Sequence, residues 1–262
     1  MGPSRNPTFT RPPITEIGVG ITFQRPNFLK TAHLGRFWEW VAKDLPIAED
    51  HTPSGLPSDW ATSVEGMPLP RLWLCQADGA AILQLQLTRF DFNWRRQSQD
   101  TPYPYFAEHA KRFMHYWTNF AAFANGESHD PLVIRSAEVV KVSQIREGDG
   151  WNTLGDIESM FPSFKFSVFS GDWQIGGIVC GLEMVSPEGK VRAEIRSAAL
   201  PLEAGRKIMH VEIKAEAAAV NATSADFGDL EERLKVANEL ANLAFTSLTS
   251  STVQKDAWGR SR

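Results

Sequence analysis

Two cysteines in 262 residues leave no room for a disulfide scaffold. Cys75 and Cys180 each sit in an apolar, strand-like run, so we expect two reduced, buried thiols. No run approaches 18 apolar residues, so no membrane-spanning helix is expected. The start, Met1 to Pro13, is polar and proline-rich without an apolar stretch, so we expect no signal peptide. Gly2 follows Met1, but Asn6 stands where the myristoylation pattern needs Ser or Thr. These absences together predict a soluble cytoplasmic protein.

A basic excess is missing too. Lysine and arginine number 27 against 31 acidic side chains, a formal charge of −4. Duplex DNA binders draw most of their affinity from neutralising phosphates. The composition therefore argues against duplex nucleic acid as a partner and leaves room for a local basic patch.

The common catalytic signatures are also absent. There is no Gly-x-x-x-x-Gly-Lys phosphate loop and no His-Glu-x-x-His zinc helix. There is no Gly-x-Ser-x-Gly elbow. Gly18-x-Gly20 lacks the third glycine of a dinucleotide fingerprint, since Phe23 stands there, and it lies within a strand pattern. Those glycines instead mark a bulge or a close backbone approach. Of the six histidines, His33, His51, His109, His115, His129 and His210, none has a zinc-ligand spacing to another His or a Cys. We expect no metal and no cofactor.

What is present is ordinary globular material, 42% hydrophobic and 22% charged, which excludes whole-chain disorder. Residues 1–13 read as a flexible arm ending at Pro12-Pro13. Ile14, Ile17, Val19, Ile21 and Phe23 make a strand pattern. His33 to Leu45 reads as a helix with Leu34, Phe37, Trp38, Val41 and Leu45 on one face. Residues 50–70 carry four prolines and two glycines and form a long irregular excursion. Arg71–Ala77 and Ala80–Trp94 read as two strands joined through Asp78-Gly79. Tyr103–Asn125 reads as a helix capped by Gly126, with Phe106, Ala110, Phe113, Trp117, Phe120 and Ala124 as its core stripe. Leu132–Ile145 returns as a strand.

This first half has the strand–helix–strand–strand–helix–strand order of a ferredoxin-like, split βαβ arrangement. The second half predicts an antiparallel meander: Phe164–Phe169, Trp173–Val185, Val191–Leu200 and Ile208–Ala219. Its turns fall at Ser170-Gly171, Pro187-Glu188-Gly189 and Glu203-Ala204-Gly205. A long helix over Leu230–Asp256 follows, capped by Asp229 with Glu232 three residues on. Its apolar stripe must be buried, and the sheet is the surface available. The fold expected is thus α+β with a mostly antiparallel sheet. Residues 14–257 read as one domain, divisible at 14–130 and 131–257 as a diverged duplication, with 258–262 as a tail.

The strand around residues 80–96 carries the candidate site. Leu83, Leu85 and Leu87 are odd; Phe90, Phe92 and Trp94 are even. The apolar phase therefore slips near Thr88-Arg89. Either a bulge inserts one residue there, or a straight strand is buried on both sides. In both cases Arg89, Asp91, Asn93 and Arg95 fall in one row. Two guanidiniums, a carboxylate and an amide suit a small anion or a peptide edge, and suit equally a salt-bridged sheet face. A second polar row comprises Arg192, Glu194 and Arg196 with His210, Glu212, Lys214 and Glu216, the pattern of an outer sheet face. Trp60, Trp151 and Trp173 lie in or beside loops, where they could stack on a base. Trp38 and Trp117 read as core.

Several segments carry a resemblance. They are Pro12-Pro13-Ile14-x-Glu16, His33-Leu34-Gly35-x-Phe37-Trp38, Phe90-x-Phe92-Asn93-Trp94-Arg95, Trp151 ahead of Leu154-Gly155-Asp156, and Trp258-Gly259. Together they resemble a sporadically distributed family of uncharacterised prokaryotic proteins of similar length. The resemblance implies no activity, cofactor or catalytic residue. A patchy distribution fits an accessory gene, as in a defence or toxin-related module. The expected function is therefore a binding or accessory protein taking a partner protein or an anionic ligand at Arg89, Asp91, Asn93 and Arg95. The rival is an enzyme with a dispersed site, a hydrolase of a phosphorylated or nucleotide-like ligand. It would use Asp91, Glu194 or Glu212 with an arginine clamp.

Overall fold

A computed structural model describes residues 5–55, 68–98, 100–128, 132–165, 175–199, 207–218 and 227–261. The protein is α+β. Its strands are β1 (Ile14–Phe23), β2 (Ile47–His51), β3 (Arg71–Cys75), β4 (Ala81–Gln86), β5 (Arg89–Arg95), β6 (Ile134–Arg146), β7 (Val179–Ser186), β8 (Gly189–Ala199) and β9 (Lys207–Ala217). Its helices are α1 (Thr31–Val41), α2 (Phe106–Glu127), α3 (Ile157–Met160), α4 (Phe227–Leu248) and α5 (Ser251–Asp256). The strands form one antiparallel sheet in the order β2-β3-β4-β5-β1-β6-β9-β8-β7. Contacts divide the chain into two compact units. One comprises Met1–Thr15, Val140–Ala215 and Val236–Arg262; the other comprises Glu16–Val139 and Glu216–Lys235. Among the described residues no helix is long and apolar enough to cross a membrane.

In the second of these units, one face of the sheet is apolar throughout. Leu85 pairs with Phe90 and Phe90 with Ile21; Leu83 pairs with Phe92 and Phe92 with Val19; Ala81 pairs with Trp94 and Trp94 with Ile17. Cross-strand partners share a face, so these residues form a continuous floor. Rings from both helices pack onto it. Phe90 lies 5.2–6.4 Å from Phe37, Phe113, Trp117 and Phe120, and Phe92 stacks on His109 at 5.0 Å. Each such buried ring contributes about 1.5–3 kcal/mol relative to exposure. Leu34, Phe37, Val41 and Leu45 are buried as the periodicity predicts, while Trp38 is half-buried and donates Nε1–H to the Leu45 carbonyl at 2.9 Å.

The phase slip has a different cause from either expected. Residues 80–94 are not one strand. The chain reverses at Leu87-Thr88, and Gln86 pairs directly with Arg89. A two-residue hairpin sets odd positions of β4 opposite even positions of β5, so both apolar sets share a face without a bulge. The Asp78-Gly79 hairpin between β3 and β4 forms as expected, with Gly79 at φ 70°.

Other boundaries shift. α2 begins at Phe106, three residues later than predicted, and Gly126 lies inside its last turn, with Ser128 at the C-cap. The expected helix over 230–256 is broken at Thr249-Ser250 into α4 and α5. The strand expected at 164–169 and the 203–205 turn lie largely or wholly outside the described residues, as do Trp60, Trp173 and His129.

In the other unit, Val191, Ala193 and Ile195 of β8 and Met209, Val211, Ile213 and Ala215 of β9 share a core cluster with Leu240, Ala241, Ala244 and Leu248 of α4. Trp151 belongs to that cluster, 2% exposed, with its indole N–H on the Ile145 carbonyl. It is a core residue and offers no stacking surface. Residues 8–11 and 258–261 meet here. Thr10 and Arg11 donate backbone hydrogen bonds to Gly259 and Trp258, Ser261 donates to Thr8, and Phe9 packs on Phe245 and Trp258. The stretch read as an arm is thus paired over residues 8–11 with the stretch read as a tail.

Candidate functional site

The opposite face of β1, β3, β4 and β5 is polar. Glu49 pairs with Trp73, Trp73 with Gln84, Gln84 with Asp91, and Asp91 with Gly20, one row across five strands. Arg89, Asp91, Asn93 and Arg95 lie on this face, as the period-two reading of the sequence requires. They are more enclosed than a solvated sheet face. Arg89, Asp91 and Asn93 are 7–9% exposed, and Gln84, Gln86 and Glu138 are buried beside them.

Burial of charge demands partners, and the face supplies them. Arg89 donates from Nε to Asp91 Oδ2 at 2.6 Å and from Nη2 to Asp91 Oδ1 at 2.8 Å, a two-point clamp. Its Nη2 also meets the Glu138 carboxylate. Arg95 donates from Nε to Glu16 Oε2 at 3.0 Å, and Asn93 donates from Nδ2 to the other Glu16 oxygen at 2.5 Å. Nearby, the Thr22 and Ser136 hydroxyls share a hydrogen bond of 2.6 Å. The Gln86 side chain grips the backbone of Ser54 through both its amide oxygen and its amide nitrogen.

Glycine makes this packing fit. Gly18 and Gly20 lie opposite Asn93 and Asp91 on β1. A Cβ on Gly20 would fall 1.9 Å from Asp91 Oδ1, and one on Gly18 would fall 3.0 Å from Asn93 Nδ2. These glycines therefore serve a close side-chain approach and mark no bulge.

Arg71 differs from its neighbours. Its Nη1 donates to Gln84 Oε1 at 2.7 Å, and its Nε has no hydrogen-bond partner among the described residues. The guanidinium lies over Trp73 at 5.2 Å, Arg95 lies over the same ring at 4.6 Å, and His51 stacks on it at 3.6 Å. Burial lowers the Arg71 pKa, with Asp91 opposing that effect and Arg89 and Arg95 adding to it. An arginine still keeps its proton at such a site. The sequence reading missed Arg71, Trp73, Glu16 and Glu138. Arg71 and Trp73 alternate with Leu72 and Leu74, so their shared face was readable, but not what lay beside it.

The second polar row lies in the other unit. Glu194 and Glu212 are exposed on it. Glu194 stands 3.5 Å from Arg196. His210, with its Nε2 3.9 Å from the carboxylate, holds the Glu212 carboxyl below its usual range, burial opposing. A general base active near neutrality needs the reverse shift. Among the described residues no three His, Cys, Asp or Glu side chains gather as metal ligands would. Cys75 is buried and Cys180 half-buried, both as free thiols, so only the first matches the burial expected of both.

Compared with family models, curated proteins and solved structures, the chain finds no match.

Proposed function

We propose that this protein is a binding module that takes a small anionic ligand, or an anionic group of a partner protein, at Arg71. One observation carries the reading. The face holds three arginines, and Arg89 and Arg95 are each paired directly with carboxylates, while Arg71 hydrogen-bonds the neutral oxygen of Gln84 and feels Asp91 and Glu16 only through longer-range attraction. A half-buried guanidinium with spare donors is a natural seat for phosphate or carboxylate. In this reading Arg89, Asp91, Asn93 and Arg95 form the wall that fixes the seat, and Trp73 and His51 form its rim. The pairing of Asp91 with Arg89 favours a structural role for that carboxylate over one in proton transfer.

Thermal unfolding tests the reading. Inorganic phosphate, pyrophosphate and a small carboxylate would each be added to wild type and to Arg71→Gln. A ligand present at 100 times its dissociation constant stabilises by about 2.7 kcal/mol. At least one anion should raise the wild-type melting temperature and leave the variant unmoved. Equal responses would refute the assignment.

We also infer that β1, α1, β4, β5, α2 and β6 form a ferredoxin-like split βαβ unit. The neighbour order β4-β5-β1-β6 and the antiparallel pairings of β5 with β4 and β1 support it. The core cluster joining α4 to β8 and β9 supports the reading of that long helix as a cover for the sheet. Free thiols at Cys75 and Cys180 fit a reducing, cytoplasmic setting. A role as an accessory of a defence or toxin-related module rests on the resemblance alone.

A further inference from the structure

Among the described residues, the two outermost strands of the sheet are β2 and β7. They are guarded very differently. β2 carries Glu49, Asp50 and His51 in five residues, the charge that keeps an edge from pairing with other chains. β7 reads Val-Cys-Gly-Leu-Glu-Met-Val-Ser over eight residues with no proline and no lysine. Its one charge, Glu183, is matched at 2.6 Å by Arg192 of its own hairpin. Val179 and Val185 are 82% and 78% exposed. A long, apolar, nearly uncharged edge is a template for another strand.

We propose that the protein self-associates through β7, which pairs antiparallel with β7 of a second copy about a twofold axis at Leu182.

The backbone sets the first condition. Ser197 N–H donates to the Ile178 carbonyl at 2.9 Å, one step beyond the β7–β8 pair of Val179 and Arg196. Antiparallel ladders alternate, so even-numbered residues of β7 direct their backbone groups to β8. The N–H and C=O groups of Val179, Gly181, Glu183 and Val185 then point outward. A second β7 must set odd residues opposite odd residues to use them. The same condition keeps the exposed and half-buried faces matched across the junction.

Charge sets the second condition. An axis at Glu183 would place two glutamates opposite each other. An axis at Gly181 would set Val179 against Glu183 and leave Val185 without a partner. An axis at Leu182 sets Val179 against Val185, Gly181 against Glu183, and Cys180 against Met184. Both exposed valines of each copy are then covered, and no like charges sit directly opposite each other. The surface is self-complementary, as a twofold interface must be. This argues for a second copy over an unrelated strand.

The test is sedimentation equilibrium on the full chain. Wild type should show a concentration-dependent dimer. Val179→Lys with Val185→Lys places lysines opposite lysines and should weaken the dimer at least about tenfold. Both side chains are exposed, so the far-UV spectrum should not change. Register is read independently by cross-linking. In a Cys180→Ser background, Leu182→Cys puts two thiols at a non-hydrogen-bonded pair, where Cα atoms lie about 4.5 Å apart. That variant should form an intermolecular disulfide, and Gly181→Cys in the same background should not. A wild-type monomer at the highest soluble concentration would overturn the proposal. So would a dimer indifferent to the lysines, or a failure of Leu182→Cys to cross-link.

Discussion

The Asp91 carboxylate lies where a side chain on Gly20 would begin. The two residues face each other across β1 and β5, and a Cβ on the glycine would sit 1.9 Å from Oδ1. That oxygen is one of the two held by Arg89. A strand glycine normally weakens its strand, but here the missing side chain makes room for a buried ion pair.

Gly20→Ala should therefore act on the ion pair and not only on the strand. The methyl must displace a carboxylate that is clamped from the other side. We expect a loss of about 2–3 kcal/mol in urea unfolding, combining overpacking with a disturbed buried pair. Gly35→Ala, where an added Cβ meets nothing within 4 Å, should be neutral or mildly stabilising.

The two arginines of the row should differ sharply in cost. Arg89 is buried between Asp91 and Glu138, so Arg89→Met strands two carboxylates away from water. A loss of about 3–5 kcal/mol is expected. The Arg95 side chain is 35% exposed and pairs with one carboxylate, so Arg95→Met should cost about 1 kcal/mol or less. Denaturant titrations of the two variants would separate these values. Equal costs would show that the pairs are not partitioned as the geometry indicates.

Lys141 gives a pH-dependent expectation. Its amine donates to Asn242 Oδ1 at 2.5 Å, and burial lowers its pKa to about 7 from 10.5. Between those values the unfolded chain holds a proton that the folded chain has lost. Stability from this residue therefore rises with pH across that window, and the penalty is full below it. Lys141→Met removes the penalty. The advantage of the variant over wild type should be largest at pH 7 and below, and should shrink toward pH 10. Melting temperatures of both proteins across that range provide the check.

The alternation of apolar and polar residues reveals the faces of the sheet but not its neighbours. Arg89, Asp91, Asn93 and Arg95 share a face because strand side chains alternate, and that needs no knowledge of pairing. Their partners Glu16 and Glu138, and Arg71 on the same face, come from three other strands, and only register brings them in. The hairpin at Leu87-Thr88 was hidden for a local reason. It contains no Gly, Asn or Asp, and no described non-glycine residue has positive φ. Without that turn chemistry, a parity flip looks the same as a bulge. The helix break at Thr249-Ser250 was hidden in the same way. The Gln254 amide, buried against the Thr246 and Thr249 carbonyls, occupies the interruption, and nothing short of the folded packing places it there.

The seat at Arg71 is tested most directly by calorimetric titration of pyrophosphate into wild type, Arg71→Gln and Arg25→Gln. Arg25 is exposed, so its replacement removes the same charge away from the face. The account predicts saturable binding to wild type and to Arg25→Gln, and at least about a tenfold weaker signal for Arg71→Gln. Binding by Arg71→Gln at wild-type strength, or no heat from any of the three, would contradict it.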